Sequence, residues 1–152
     1  MINNDIIRSV RYILNVNESK LIEIFKLADL TVKPEEVSAY LKREDEEGFV
    51  KCDGKVMTHF LNGLIYFKRG KDPSRPPLEF EIPTNNVALK KLRVAFELKD
   101  EDIIELLKSA GMNISKSELS ALFRKEGHPN FRPCGDQFLR NFLKGLATKT
   151  RG

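Results

Sequence analysis

The amino-acid sequence predicts an all-α protein made of two tandem copies of a four-helix unit that pack with pseudo-twofold symmetry. Three observations support this class: an internal repeat at an offset of 82 residues, apolar residues at helical spacing in both copies, and a proline-rich break between them. The predicted organisation is a first unit over 1–69, a linker over 70–84 and a second unit over 85–152.

The repeat aligns residues 3–65 with residues 85–147 without a gap. Chance could produce a few identities, but it would not also keep the apolar pattern in phase along the whole alignment. Identical pairs include Asn4/Asn86, Arg11/Arg93, Glu36/Glu118, Cys52/Cys134, Phe60/Phe142 and Gly63/Gly145. Because small units bury a small share of their surface, we expect the two copies to pack against each other.

Each copy is predicted to contain four helices. They cover about 4–15, 18–28, 34–43 and 53–68 in copy one, and about 86–97, 100–110, 116–125 and 136–147 in copy two. Asparagine is a residue type suited to capping the first helix, and acidic residues favour the start of the second. Pro34 suits a first helical turn. Ser115 and Glu118 have the spacing of a capping box.

Two features of the sequence have more than one structural interpretation. Gly63 and Gly145 lie inside helical patterns, where glycine costs about 1 kcal/mol relative to alanine. They indicate either a helix crossing between copies or close packing within each unit, and we favour the second. After the linker, residues 78–82 alternate apolar and acidic, which fits an extended strip on a helical surface as well as it fits a plain linker.

Composition limits the class of protein. The chain has 152 residues, 41% of them hydrophobic and 32% charged, as in a globular domain. It has neither a signal-peptide pattern at its start nor an apolar run long enough to cross a bilayer, so we expect a cytoplasmic protein without a membrane partner. The net charge is +4, and the whole surplus lies in residues 85–152, whose 13 basic and 8 acidic residues give +5, while the linker gives −1.

Catalytic and metal-binding patterns are missing. His59 and His128 have no partner at metal-ligand spacing, and Cys52 and Cys134 occupy equivalent positions typical of small buried residues. There is no phosphate-binding glycine loop and no nucleophile elbow. We therefore predict a protein that is not an enzyme and has no catalytic residue, metal site or cofactor.

Arg11 and Arg93 lie at the edge of the apolar stripe of the first helix of each copy. They could contact an anion. We favour a structural role, in which the aliphatic part covers apolar surface and the guanidinium binds a carbonyl or a carboxylate.

The second and third helices of each copy suggest a helix-turn-helix, because they are short, amphipathic and joined by what we expect to be a tight turn. Copy one is a poor candidate, since acidic residues crowd its third helix. Copy two would present the stripe Lys116, Ser120 and Arg124, with Lys125, Arg132, Arg140 and Lys144 contacting phosphates. Nucleic-acid binding is our alternative hypothesis.

The leading hypothesis is a protein-interaction or regulatory module. Two similar helical units would offer two grooves, one with an acidic rim and one with a basic rim, for a protein partner or for self-association. Charge separates the hypotheses, because nucleic-acid binding depends steeply on salt.

Three motifs carry a resemblance to a known family. They are Asn-Asn-Asp-Ile at 3–6 running to Leu14-Asn15, Phe-Leu-x-Gly-Leu at 60–64 and 142–146, and Lys-Ser-Glu-Leu-Ser-Ala-Leu-Phe-Arg-Lys at 116–125. The chain resembles the YehS-like family of bacterial proteins, which have two copies of a domain of unknown function. It departs from that pattern at Asp29, where glycine is usual, and at Tyr40, where tryptophan is expected. The resemblance implies a bacterial cytoplasmic protein and assigns no activity.

Overall fold

A computed structural model describes all 152 residues and contains eight α-helices and no strand. The helices are α1 (Asn3–Leu14), α2 (Glu18–Leu27), α3 (Pro34–Leu41), α4 (Gly54–Arg69), α5 (Asn85–Ala95), α6 (Asp100–Ser109), α7 (Lys116–Leu122) and α8 (Asp136–Arg151). The chain divides into unit 1, Met1–Pro83, and unit 2, Thr84–Gly152. The predicted all-α class and the two four-helix units are confirmed. Pseudo-twofold packing of the units stays a prediction. None of the helices combines the length and the apolar character that a membrane span requires.

The third helix of each unit is shorter than predicted. α3 ends at Leu41 and α7 ends at Leu122, rather than near 43 and 125. In unit 2 the carbonyl of Ala121 accepts a hydrogen bond from the N–H of Arg132, 3.0 Å away, so a residue of the following loop replaces the next helical donor. The equivalent bond in unit 1 runs from the N–H of Val50 to the carbonyl of Ala39. Helix α8, by contrast, continues to Arg151 instead of ending near 147.

The predicted helix starts are confirmed at Pro34 and Ser115, whereas the predicted asparagine caps of the first helices are wrong in both units. Pro34 opens α3, and Ser115 forms a capping box with Glu118, whose N–H lies 3.1 Å from the serine hydroxyl. The asparagines do not cap the first helices. Ile2 is the N-cap of α1 and Thr84 is the N-cap of α5, because the asparagine side chains are used elsewhere.

An asparagine in the first turn of the first helix of each unit, buried in unit 1 and partly buried in unit 2, holds the loop that precedes the fourth helix. Asn4 Nδ2 donates to the carbonyls of Tyr40 (3.0 Å) and Val50 (2.9 Å), and its Oδ1 accepts from the N–H of Cys52 (2.9 Å). Asn86 repeats this with the carbonyls of Leu122 and Arg132, both at 2.9 Å, and with the N–H of Cys134, at 2.8 Å. One side chain thus binds three backbone groups, a carbonyl at the end of the third helix and two groups of the irregular segment that follows it.

The second and fourth helices of each unit cross in close contact. A Cβ added at Gly63 would lie 2.0 Å from the carbonyl oxygen of Ile24 in α2, and one added at Gly145 would lie 2.3 Å from that of Leu106 in α6. Any larger residue would push these backbones apart. The prediction that both glycines serve packing within their own unit is confirmed.

The connection between the second and third helices is longer than the tight turn that we expected. Six residues separate α2 from α3, and six separate α6 from α7. The second residue of each connection is left-handed, Gly111 in unit 2 (φ 84°) and Asp29 in unit 1 (φ 63°). A helix-turn-helix usually has a turn of three or four residues. The expected tight turn is therefore wrong in both units.

Candidate functional site

An extended segment at the end of unit 1, which we call the strip (residues 78–82), runs along α4. The N–H of Leu78 donates to Tyr66 Oη at 2.8 Å. Asn62 Nδ2 donates to the carbonyl of Glu79 at 3.2 Å, and Thr58 Oγ1 lies 2.8 Å from the carbonyl oxygen of Glu81. Residue numbers fall along α4 as they rise along the strip, so the two run in opposite directions.

The strip is held mainly by its backbone, which leaves its apolar side chains in solvent. Leu78, Phe80 and Ile82 are exposed, the last two by 60% and 72%. These three are every second residue of an extended chain, so their side chains lie on one side of it. An isolated exposed apolar residue is ordinary, but a row of three on a fixed backbone is typical of a contact surface.

The strip and α4 enclose a groove of about 450 Å³ with the end of α2. Its volume is in the range of pockets that hold a small molecule or an anchoring side chain. The lining residues are Ala28, Asp29, Lys55, Thr58, His59, Asn62, Tyr66, Pro77, Leu78 and Phe80. The groove exists because the strip forms one of its walls.

Several polar groups of this groove have structural partners. Thr58, Asn62 and Tyr66 bind the strip, as described above. His59 Nδ1 lies 2.7 Å from the carbonyl oxygen of Ala28, at the end of α2. Next to the groove, the ammonium group of Lys71 donates to the carbonyl of Leu27 and lies 5.0 Å from the centre of the Tyr66 ring. These contacts position the groove walls. They do not pair a nucleophilic side chain with an adjacent base.

The equivalent face of unit 2 has a different chemistry. The positions matching Thr58, Asn62 and Tyr66 are Arg140, Lys144 and Thr148 on α8, and all three side chains are exposed. We call these three residues the α8 basic face. Arg140 lies 3.4 Å from the side-chain oxygen of Gln137, and Thr148 donates to the carbonyl of Lys144. Two neutral donors of unit 1 are thus replaced by cations.

The structure distributes the seven residues of the nucleic-acid hypothesis over three parts of unit 2. All seven are exposed: Lys116, Ser120, Arg124, Lys125, Arg132, Arg140 and Lys144. Arg124 and Lys125 follow the end of α7, so the helical stripe expected from Lys116 to Arg124 is interrupted. Lys116 lies 3.4 Å from Glu101, and Arg132 lies 3.6 Å from Glu118, so two of the charges are partly neutralised.

The two arginines of the repeat contact protein groups. Arg11 Nε donates to the carbonyl of Val16 at 3.3 Å. Arg93 forms an ion pair with Asp100 at 2.7 Å, and its guanidinium lies 4.6 Å from the centre of the Phe123 ring. These are the carbonyl and carboxylate contacts that a structural role requires.

The two cysteines are buried in equivalent positions. Burial, with a smaller effect of Asp53, raises the pKa of the Cys52 thiol to about 12. Burial and Asp136 likewise raise the pKa of Cys134 to about 12. At neutral pH both therefore remain protonated thiols, whereas a nucleophilic cysteine needs a lowered pKa. No group of three or more His, Cys, Asp or Glu residues is arranged to hold a metal ion.

Comparison with known proteins decides the family. The model of a family described as a protein of unknown function, DUF1456, matches residues 3–70 and again residues 85–152. The chain belongs to the DUF1456 family. It is similar to the uncharacterised protein YehS of Escherichia coli (strain K12), with 51% identity over 150 residues that cover 98% of this chain and 96% of the relative. No solved structure matches the chain.

The match confirms the resemblance that the sequence motifs indicated. Each DUF1456 segment contains one four-helix unit, and the strip lies between the two matched segments. Sequence reasoning noticed the alternation of the strip but missed its binding residues on α4. The available signal was three residues with polar groups, Thr58, Asn62 and Tyr66, at intervals of four along one helix, which places them on one face.

Proposed function

We propose that this DUF1456 protein is a non-enzymatic, cytoplasmic binding module that contacts a protein partner through unit 1. The partner surface would be the strip with the adjoining groove. The observation that carries the proposal is the row of exposed apolar side chains, Leu78, Phe80 and Ile82, on a backbone that α4 holds in place.

A fixed backbone favours binding of this kind. A segment that is already extended and hydrogen-bonded loses little conformational entropy when a partner covers it. The groove beside Phe80 can receive one large apolar side chain, which is the usual anchor of a protein interface.

Nucleic-acid binding by unit 2 is the second candidate. In its favour, all seven residues of that hypothesis are exposed, and unit 2 holds the positive surplus of the chain. Against it, the basic stripe on α7 is interrupted and two of the cations have acidic neighbours. We therefore favour the protein partner.

Site-specific photo-crosslinking in the intact chain tests the proposal. Phe80 is replaced by benzoylphenylalanine, and the control carries the same group at Tyr12, an aromatic residue of unit 1 that is exposed to a similar extent, 58% against 60%. The cross-linked protein is then identified, purified and titrated with the unmodified chain. We expect one discrete product from position 80 and about tenfold weaker binding for Phe80→Ser with Ile82→Ser.

Several outcomes would overturn this function. They are equal products from positions 80 and 12, no product at 80, or a product that disappears after nuclease treatment. A product made of two copies of this chain would replace the separate partner with self-association. Because Phe80 and Ile82 are exposed, their serine variants should melt close to the parent temperature, which separates lost binding from lost folding.

A further inference from the structure

We propose a second docking site: the α8 basic face of unit 2 binds an extended, acidic peptide segment of a partner protein, in the way that α4 of unit 1 binds the strip. The partner segment would carry two carboxylates two residues apart. The site lies in unit 2, whereas the surface proposed above lies in unit 1, so each can fail without the other.

The first step is the equivalence of the two helices. Both α4 and α8 have 16 residues, and both cross the second helix of their unit at a glycine, Gly63 or Gly145, that permits close contact. Positions an equal distance along the two helices therefore project in the same direction from their units. The α8 basic face corresponds residue by residue to the strip-binding residues of α4.

The second step is occupancy. In unit 1 this face is covered, because Thr58 and Asn62 lie within hydrogen-bond distance of strip carbonyls and are buried. In unit 2, Arg140 and Lys144 are exposed. The same scaffold thus carries a peptide in one copy and presents an open face in the other.

The third step is charge. Neutral donors are enough to bind peptide carbonyls, as Asn62 does. Replacing both neutral positions with Arg140 and Lys144 favours a ligand with negative charge. Nearby, Lys149 pairs with Asp102 at 3.7 Å, so that carboxylate already has a cation. Asp136, one turn before Arg140, is the acidic residue closest to the face along α8.

The fourth step is spacing. Arg140 and Lys144 are four residues apart, which places them about 6 Å apart along the helix axis. Side chains two residues apart on an extended chain are separated by about 7 Å. Carboxylates at such positions can therefore meet both cations at once. The strip itself has this pattern, with Glu79 and Glu81 on one side of an extended backbone.

A fluorescent peptide with the sequence of residues 77–83, Pro-Leu-Glu-Phe-Glu-Ile-Pro, serves as the probe, titrated with the full-length chain. We expect saturable binding that weakens about tenfold in Arg140→Gln with Lys144→Gln, as two lost charge-assisted contacts would give. Replacing both glutamates of the probe by glutamine should weaken binding to a similar extent.

The matched control removes two other exposed cations of unit 2, through Arg124→Gln with Lys125→Gln, and should change the affinity less than about twofold. The proposal is overturned if the parent chain does not bind the probe at millimolar concentration, or if both double variants weaken it equally. It is also overturned if a duplex or single-stranded oligonucleotide binds more tightly through Arg140 and Lys144, because the face would then be a phosphate site.

Discussion

Units 1 and 2 share two sets of interior contacts and differ on the outer face of the fourth helix. The glycine contact and the three hydrogen bonds of the asparagine recur at an offset of 82 residues, with distances that differ by only a few tenths of an ångström. On the outer face, by contrast, Thr58 and Asn62 of α4 are replaced by Arg140 and Lys144 of α8.

This difference distinguishes the residues that stabilise the fold of each unit from the residues on its exposed surface. Contacts that a backbone crossing or a buried loop requires have remained the same in both copies. Residues on the outer face have diverged, since that face can change without opening the core. Both proposed binding surfaces lie on faces where the copies differ, whereas the positions where the copies match have structural contacts.

The largest effect is expected at the helix crossings. Gly63→Ala and Gly145→Ala should each lower the free energy of unfolding of their unit by roughly 3 kcal/mol, because the new methyl group would overlap a carbonyl oxygen of the facing helix. Hydrogen exchange read by mass spectrometry assigns the loss to one unit. The control is Gly135→Ala, where a Cβ has no atom within 4 Å. If Gly63→Ala and Gly145→Ala are no more destabilising than this control, the close crossing is disproved.

A smaller effect, unequal between the units, is expected for the buried asparagines. Asn4→Ala should cost about 2.5 kcal/mol, because it leaves a carbonyl at the end of α3, a carbonyl of the following loop and one loop N–H without their partner. Asn86→Ala should cost about 1–2 kcal/mol, since Asn86 is only partly buried and water can replace some of its bonds. Urea unfolding measures both, with the exposed Asn113→Ala as the control. A larger loss for Asn86 than for Asn4 would contradict this ranking.

The smallest effect is expected for Arg11 and Arg93, which occupy equivalent positions in the two units. Arg93→Ala should cost about 1 kcal/mol, through the ion pair with Asp100 and the contact with Phe123, and Arg11→Ala should cost about half of that. The Arg93 effect should shrink in high salt, because partly exposed charges are screened. Thermal melts at two salt concentrations measure this. Equal and salt-independent losses would show that the aliphatic stems alone contribute.

Part of the fold followed directly from the sequence. The repeat, the helical periodicity and the capping residues Pro34 and Ser115 are local signals, and they predicted eight helices in two units. The buried character of Cys52 and Cys134 followed from their equivalent positions after a loop. The resemblance to a family of unknown function also came from motifs along the chain.

Other features depend on contacts between residues far apart in the chain. Asparagine was expected to cap the first helices, but the partners of the Asn4 side chain are 36 to 48 residues away, and no local pattern identifies them. The end of α7 is set by the N–H of Arg132, which lies ten residues beyond Leu122. The groove of unit 1 arises because Thr58, Asn62 and Tyr66 meet a segment that follows them in the chain. Periodicity by itself therefore predicted the eight helices and their buried sides, but not the ends of α3, α7 and α8. Only the tertiary structure decided the hydrogen bonds that hold the loops and the groove of unit 1, because bonds between distant groups leave no regular spacing in a sequence.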